Sequence, residues 1–192
     1  EKQLLLLLKH LDRARFNPCL CVLRHSHWLR ENFDLCPLHD IGMPSFGSLS
    51  GWIAILRFAR FLRSKKVDIV QTQFRDGSIV GILAAKLAGI RMIIGTRRNQ
   101  GFWLTWKESA IQKVLNMCTD SCIANSESTK MWVCANESIP NDDIHVIING
   151  VNLGPFSILD DDVRNASRCS LGIPHEAPVI GIVANLRPVK GI

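Results

Sequence analysis

A chain of 192 residues, 47% apolar and 21% charged, is long enough to bury a real hydrophobic core and amounts to slightly more than one domain. Those proportions exclude intrinsic disorder, collagen and coiled coil. The net charge of +6 is spread along the chain without a nucleic-acid recognition motif, and the mean hydropathy of +0.12 is high for a free-standing domain.

Residues 2–13 read as a helix. Its leucine run 4–8 meets Lys9, His10, Asp12 and Arg13 at once, too short for a signal-peptide core or a membrane span. Pro18 marks the start of a strand over 19–24. Residues 50–65 have helical period, with an expected apolar stripe of Trp52, Ile55, Leu56, Ala59 and Leu62, and a basic stripe of Arg57, Arg60, Arg63, Lys65 and Lys66. A short buried strand over 67–72 follows. Asp76 is expected to cap a helix that runs to about Ala88 and is closed by Gly89.

Residues 91–96 read as the next strand, and 105–117 as a helix with Leu104, Ile111, Val114, Leu115 and Cys118 facing inward. A strand over 121–125 leads to Ser126, which caps the following helix. The strand 145–148 ends at the turn signal Asn149-Gly150. Residues 160–169 look helical and stop at Leu171-Gly172-Ile173-Pro174. A fully apolar strand is predicted over 178–184.

Strands alternating with helices imply βαβ units. The predicted class is α/β, a Rossmann-like parallel sheet with helices on both faces. The change to acidic and then Gly/Pro-punctuated sequence gives the expected boundaries: a first domain over 1–158, a linker over 159–177 and the start of a second domain over 178–192.

In open α/β sheets, ligands bind beyond the carboxyl ends of the strands. Three such loops carry the candidates: 71–78 with Arg75, Asp76 and Gly77; 96–101 with Thr96, Arg97, Arg98 and Asn99; and 125–128 with Asn125 and Ser126. Helix N-termini and arginines at these loops suit a phosphate or carboxylate. The plainer alternative makes Asp76 and Ser126 helix caps and the arginines surface charge.

Other signals are weaker. There is no GxGxxG after a strand and no GxxxxGK[ST], so dinucleotide and P-loop readings lack their main support. His25-Ser26-His27 has no third ligand nearby and reads as a solvated pair, and Asp160-x-Asp162 reads as helix N-terminal charge; no metal site is expected. Gly77-x-x-x-Gly81 suits close packing of a helix on the sheet. The seven cysteines are an odd number without a CxxC pair, which fits free thiols in a reducing cytoplasm. The sequons at Asn136 and Asn165 read as chance. Trp103 and Trp106, beside Arg97, Arg98 and Lys107, suit a membrane surface or an acceptor cleft.

Three signatures then resemble a known family in order and spacing. They are Ile123-Ala124-Asn125-Ser126-Glu127; Val146-Ile147-Ile148-Asn149-Gly150-Val151-Asn152 with Phe156; and Ile182-Val183-Ala184-Asn185-Leu186-Arg187-Pro188-Val189-Lys190-Gly191. Together they resemble the family 4 (GT4) glycosyltransferases over the whole chain.

The resemblance implies a GT-B fold, in which an N-terminal Rossmann-like domain binds the acceptor and a C-terminal one binds a nucleotide-sugar donor. It implies sugar transfer with retention of configuration, no catalytic metal and no cofactor. Asn149 and Gly150 join the expected cleft loops. Lys190 is expected to clamp the donor diphosphate; Asn185 stands where the family has Arg, with Arg187 as a substitute. The family often has His in the loops after the strands that end here at Thr72 and Thr96; this chain has Gln71, Gln73, Arg97 and Arg98.

By the same resemblance, a first strand and its glycine-rich loop belong before Glu1. The acidic donor motif belongs beyond Ile192, leaving catalytic residues unassigned. The expected protein is a cytoplasmic enzyme fragment, inactive alone, acting on a glycan, lipid or small-molecule acceptor, with peripheral membrane contact through Trp103, Trp106 and the basic residues. A non-enzymatic phospho-ligand module and a membrane-surface module are the alternatives.

Overall fold

The computed structural model describes residues 2–101, 105–154 and 160–182. Two units are present, Glu1–Gly150 and Val151–Ile192.

The first unit opens with α1 (Lys2–His10), which ends three residues before the predicted limit. Arg13 folds back and donates to the carbonyls of Leu8 (2.7 Å) and Leu35 (2.8 Å), so it closes the helix rather than extending it. Strand β1 (Leu20–Val22), helix α2 (His27–Asn32) and strand β2 (Leu38–Asp40) follow as a parallel βαβ unit. The sequence gives no warning of α2 or β2, because six and three residues are too few for a period to emerge.

Helix α3 (Leu49–Ser64) starts at Ser48, whose hydroxyl accepts from the Gly51 N–H. It buries Ala54, Ile55, Phe58, Ala59 and Leu62. Trp52 and Leu56, predicted to face inward, are 51% and 45% exposed. The first half of α3 is apolar almost all round, so periodicity alone does not select the arc that packs. Its outer arc carries Leu49, Trp52, Ile53 and Leu56, then Arg57, Arg60 and Arg63.

Strands β3 (Ile69–Gln71), β4 (Met92–Arg97), β5 (Ser121–Ala124) and β6 (Ile144–Val146) form a parallel sheet in that order. Between them run α4 (Arg75–Ala88), α5 (Trp106–Asn116) and α6 (Glu127–Glu137). Helix α3 packs on α4, α4 on α5, and α5 on α6. Among the described residues the β1–β2 pair is not hydrogen-bonded to this sheet, yet Cys21, Leu23 and Ile41 pack into the same apolar core as Phe58, Val80, Ile93 and Leu115.

Two local expectations need correction. Asp76 does not cap α4: the N-cap is Phe74, without a side-chain bond, and Asp76 sits in the first turn. On α5, Ile111 and Val114 are exposed, while Gln112, Leu115 and Asn116 are buried. Gly89 closes α4 in the left-handed conformation (φ 71°) and Ser126 caps α6, both as predicted.

In the second unit, Asp160 caps α7 (Asp161–Ser170), and Arg168 donates to the Ala177 carbonyl. The predicted strand over 178–184 is not formed across 178–182, where Ile180 is 96% exposed; residues 183 and 184 lie outside the described residues. A parallel strand needs a neighbour for its N–H and C=O groups, and no described residue pairs with this segment.

Helix α4 approaches β3 closely at one glycine only. A Cβ on Gly81 would lie 2.8 Å from Thr72 Cγ2, whereas a Cβ on Gly77 meets nothing within 4 Å. Gly81→Ala is therefore expected to cost about 1–3 kcal/mol through overpacking. Gly77→Ala is expected to be neutral or to stabilise by up to about 1 kcal/mol through helix propensity. Urea midpoints of the two variants check this; equal midpoints would contradict it.

Candidate functional site

The carboxyl ends of β3 and β4 and the start of α4 enclose a cavity of about 260 Å³. Its floor is built from amides and hydroxyls. Thr96 Oγ1 accepts from Gln71 Nε2 (3.2 Å) and from Gln73 Nε2 (3.3 Å), which orients both side chains across adjacent strands. Below them, Ser78 donates to Phe74 O (2.8 Å) and lies 3.2 Å from Thr72 Oγ1.

Phe74 stands at the rim with φ 61° and ψ 163°, a backbone region that strongly favours glycine. Its carbonyl accepts from both the N–H and the hydroxyl of Ser78, which holds the turn in place. The ring is 60% exposed and lines the cavity. Nothing in the sequence marks this residue.

The consecutive arginines Arg97 and Arg98 have opposite fates. Arg97 is 9% exposed: its Nε donates to Glu137 Oε2 (2.7 Å) and its Nη2 to Asn116 Oδ1 (2.8 Å). Asn116 also accepts from Gln112 (2.8 Å) and donates to the Glu137 carbonyl (2.9 Å), so the network joins β4, α5 and α6. Arg98 lines the cavity, and its guanidinium makes no hydrogen bond among the described residues. Only its carbonyl is engaged, by Asn125 Nδ2 at 3.1 Å.

Arg75 borders the cavity and pairs with Asp76 (3.0 Å) and with Glu108. The Glu108 carboxyl is held below its ordinary value chiefly by the Thr105 N–H and hydroxyl, with Arg75 adding to the effect. Asp76 raises the Arg75 guanidinium in turn.

The other candidates are placed by structural bonds. Asn125 accepts from the Thr129 hydroxyl (3.0 Å), Ser126 caps α6, and the Gly150 carbonyl accepts from Gln3 (2.7 Å). Gly77 and Asn149 do not line the cavity. Trp106 is exposed, with Lys107 Nζ 5.5 Å from its ring centroid. Trp103, Phe156, Asn185, Arg187 and Lys190 lie outside the described residues. His25 faces Asp40 (3.9 Å) and His27 faces Glu31 (3.0 Å), and among the described residues no three metal-ligating side chains converge. Burial pushes the Cys122 thiol, behind the Arg97–Glu137 pair, up to about 11.

Sequence reasoning passes over Gln112 and Glu137, though a signal exists for both. Thr129, Val133 and Glu137 recur every fourth residue along the buried face of α6, and Gln112 and Asn116 share that spacing on α5.

The cavity can bind more readily than it can move a proton. Its carboxylate, Glu137, is already paired, and its other polar groups are amides, hydroxyls and guanidinium. Replacing Arg97 by Met is expected to cost about 3–5 kcal/mol, because the Glu137 carboxylate is left buried and unpaired. The double variant Arg97→Met/Glu137→Leu is expected to recover most of that loss. Denaturant titration of the three proteins decides it; a single variant as stable as the parent would show that the pair carries no such weight.

A family model described as Glycosyltransferase Family 4 matches residues 1–154. No curated protein matches the chain. Among solved structures, Anabaena Alr3699/HepE in complex with UDP and glucose is similar at a TM-score of 0.68 and 16% identity, covering 90% of this chain and 47% of that one. The same protein in complex with UDP-glucose gives 0.67 and 15%, covering 88% and 46%. A glycosyltransferase from Rickettsia africae ESF-5 gives 0.66 and 17%, covering 92% and 47%. The chain thus spans about half the length of these solved proteins, and at such identity the likeness is one of fold. The parallel α/β sheet matches the one these signatures imply, and the family model covers the entire first unit: the chain belongs to glycosyltransferase family 4.

Proposed function

We propose that this chain is the acceptor-side part of a retaining glycosyltransferase, with the cavity between the β3–α4 and β4–α5 loops receiving the acceptor end that takes the sugar. The observation that carries this reading is the position of that cavity, at the carboxyl ends of parallel strands, in a chain of this family. Arg98 supplies a positive charge and Gln73 and Asn99 supply hydrogen bonds to hydroxyls. The donor is a nucleotide sugar, with UDP-glucose the first to try, since the HepE structures hold UDP and UDP-glucose. Lys190, with Arg187 or Asn185, grips the donor diphosphate without a metal. The unit boundary at Gly150 supports a first domain that ends near residue 158, a linker to 177 and the start of the donor domain after it.

Turnover requires both domains. The 192-residue chain alone is expected to transfer no sugar from a panel of nucleotide sugars, and a protein carrying the complete donor domain is expected to do so. In that longer protein, Arg98→Ala raises the acceptor KM about 10- to 100-fold, the worth of one charge-assisted hydrogen bond. Lys190→Ala lowers kcat about 10²- to 10³-fold. An unchanged KM or kcat would remove the residue concerned from its assigned role.

We also place the protein peripherally on the inner face of a membrane. No helix among the described residues is long and apolar enough to cross one. The outer arc of α3 supports surface contact instead, because exposed Leu49, Trp52, Ile53 and Leu56 lead into Arg57 and Arg60. Exchanging both arginines for Gln is expected to weaken co-sedimentation with anionic vesicles by roughly 30-fold, at about 1 kcal/mol each. Equal binding to neutral vesicles would count against it.

A further inference from the structure

A second cavity, apolar and about 330 Å³, lies among the β2–α3 loop, α3, α4 and α5. Phe46, Trp52, Ile55, Ile79, Ile111 and Leu115 line it. Phe46, Trp52 and Ile111 come from three different elements, and each keeps roughly half its surface exposed. A lone exposed apolar side chain is ordinary, whereas several converging on one groove mark a binding surface.

What this groove accepts follows from its neighbour. Arg75 and Gln112 line both it and the polar cavity, so the two lie side by side, with the Arg75–Glu108 pair where they adjoin. One end of this pair of cavities offers the Arg98 guanidinium, which makes no hydrogen bond among the described residues, and the amides of Gln73 and Asn99. The other end is hydrocarbon, where a polar group would lose its hydrogen bonds to water. A sugar or free phosphate fills only the first end; a purely apolar ligand fills only the second.

Resting on the transferase reading above, we infer that the acceptor is lipid-linked: its phosphate-bearing head occupies the polar cavity and its hydrocarbon chain lies in the groove. The chain's path runs past Phe46 and Trp52, and Trp52 also belongs to the exposed apolar arc of α3.

The probes are ethyl, hexyl and decyl phosphate, titrated calorimetrically into the 192-residue chain below their micelle concentrations. Each methylene that enters the groove raises affinity by up to about fourfold, so decyl phosphate is expected to bind at least about 100-fold more tightly than ethyl phosphate. Phe46→Ser with Ile111→Gln, both surface changes, is expected to reduce that decyl-to-ethyl ratio at least tenfold. Arg98→Ala weakens all three ligands by the same factor. Affinity independent of chain length overturns the inference. So does an unchanged ratio in the double variant, or a concentration-dependent dimer that the double variant dissociates, which would make the groove a contact between copies. The two readings fail separately: a two-domain protein that transfers sugar to a soluble acceptor, with no chain-length effect, keeps the transferase reading and sinks this one, whereas a two-domain protein that transfers no sugar sinks the transferase reading.

Discussion

The buried pairing of Arg97 with Glu137 is the constraint on which the site depends. Taking two charges out of water is expensive, and their attraction repays it only when every remaining polar atom is satisfied. Asn116 contributes by accepting from Arg97 and donating to both the carboxylate and the carbonyl of Glu137, and the Thr96 carbonyl accepts from Arg97 Nη1. Because the three residues come from β4, α5 and α6, none of these elements can shift without exposing a charge. The loop that begins at Arg98 therefore starts from a fixed point, and the cavity wall inherits that rigidity.

The same strand end separates two tasks between neighbouring arginines. Arg97 is the last residue of β4 and Arg98 the first beyond it; both line the cavity, but Arg97 is bonded to Glu137 and Asn116 while the Arg98 guanidinium makes no hydrogen bond among the described residues. One guanidinium holds the scaffold and the other is left for a ligand. On the floor, Thr96 sets the direction of Gln71 and Gln73 through one hydroxyl, which leaves the Gln73 carbonyl as an acceptor with no proton to give. A site made this way can recognise and position a ligand more readily than it can transfer a proton.

The sheet was legible in the sequence because short apolar segments within 91–96 and 121–125 alternate with helical patterns, and because Gly89 and Ser126 mark helix ends by backbone freedom and side-chain capping that act locally. Elements set by tertiary contact were not legible. The pair α2 and β2 is too short to show a period, the outward turn of Trp52 and Leu56 depends on which side of α3 meets α4, and the strand expected over 178–184 has, across 178–182, no neighbour among the described residues. At the site, the loops were identified from topology alone. The split between Arg97 and Arg98 was not, since it depends on Glu137, forty positions away. Phe74 was illegible for a different reason: its backbone is held by Ser78 against its own preference.

Glu108 uses its two oxygens for different purposes. Oε2 accepts from the N–H and hydroxyl of Thr105 and so begins α5, while Oε1 meets Arg75 at the boundary between the two cavities. Thr105, more than Arg75, keeps this carboxyl ionised. The start of α5 therefore does not depend on Arg75: removing that guanidinium would leave the reciprocal Thr105–Glu108 bonds that begin the helix in place.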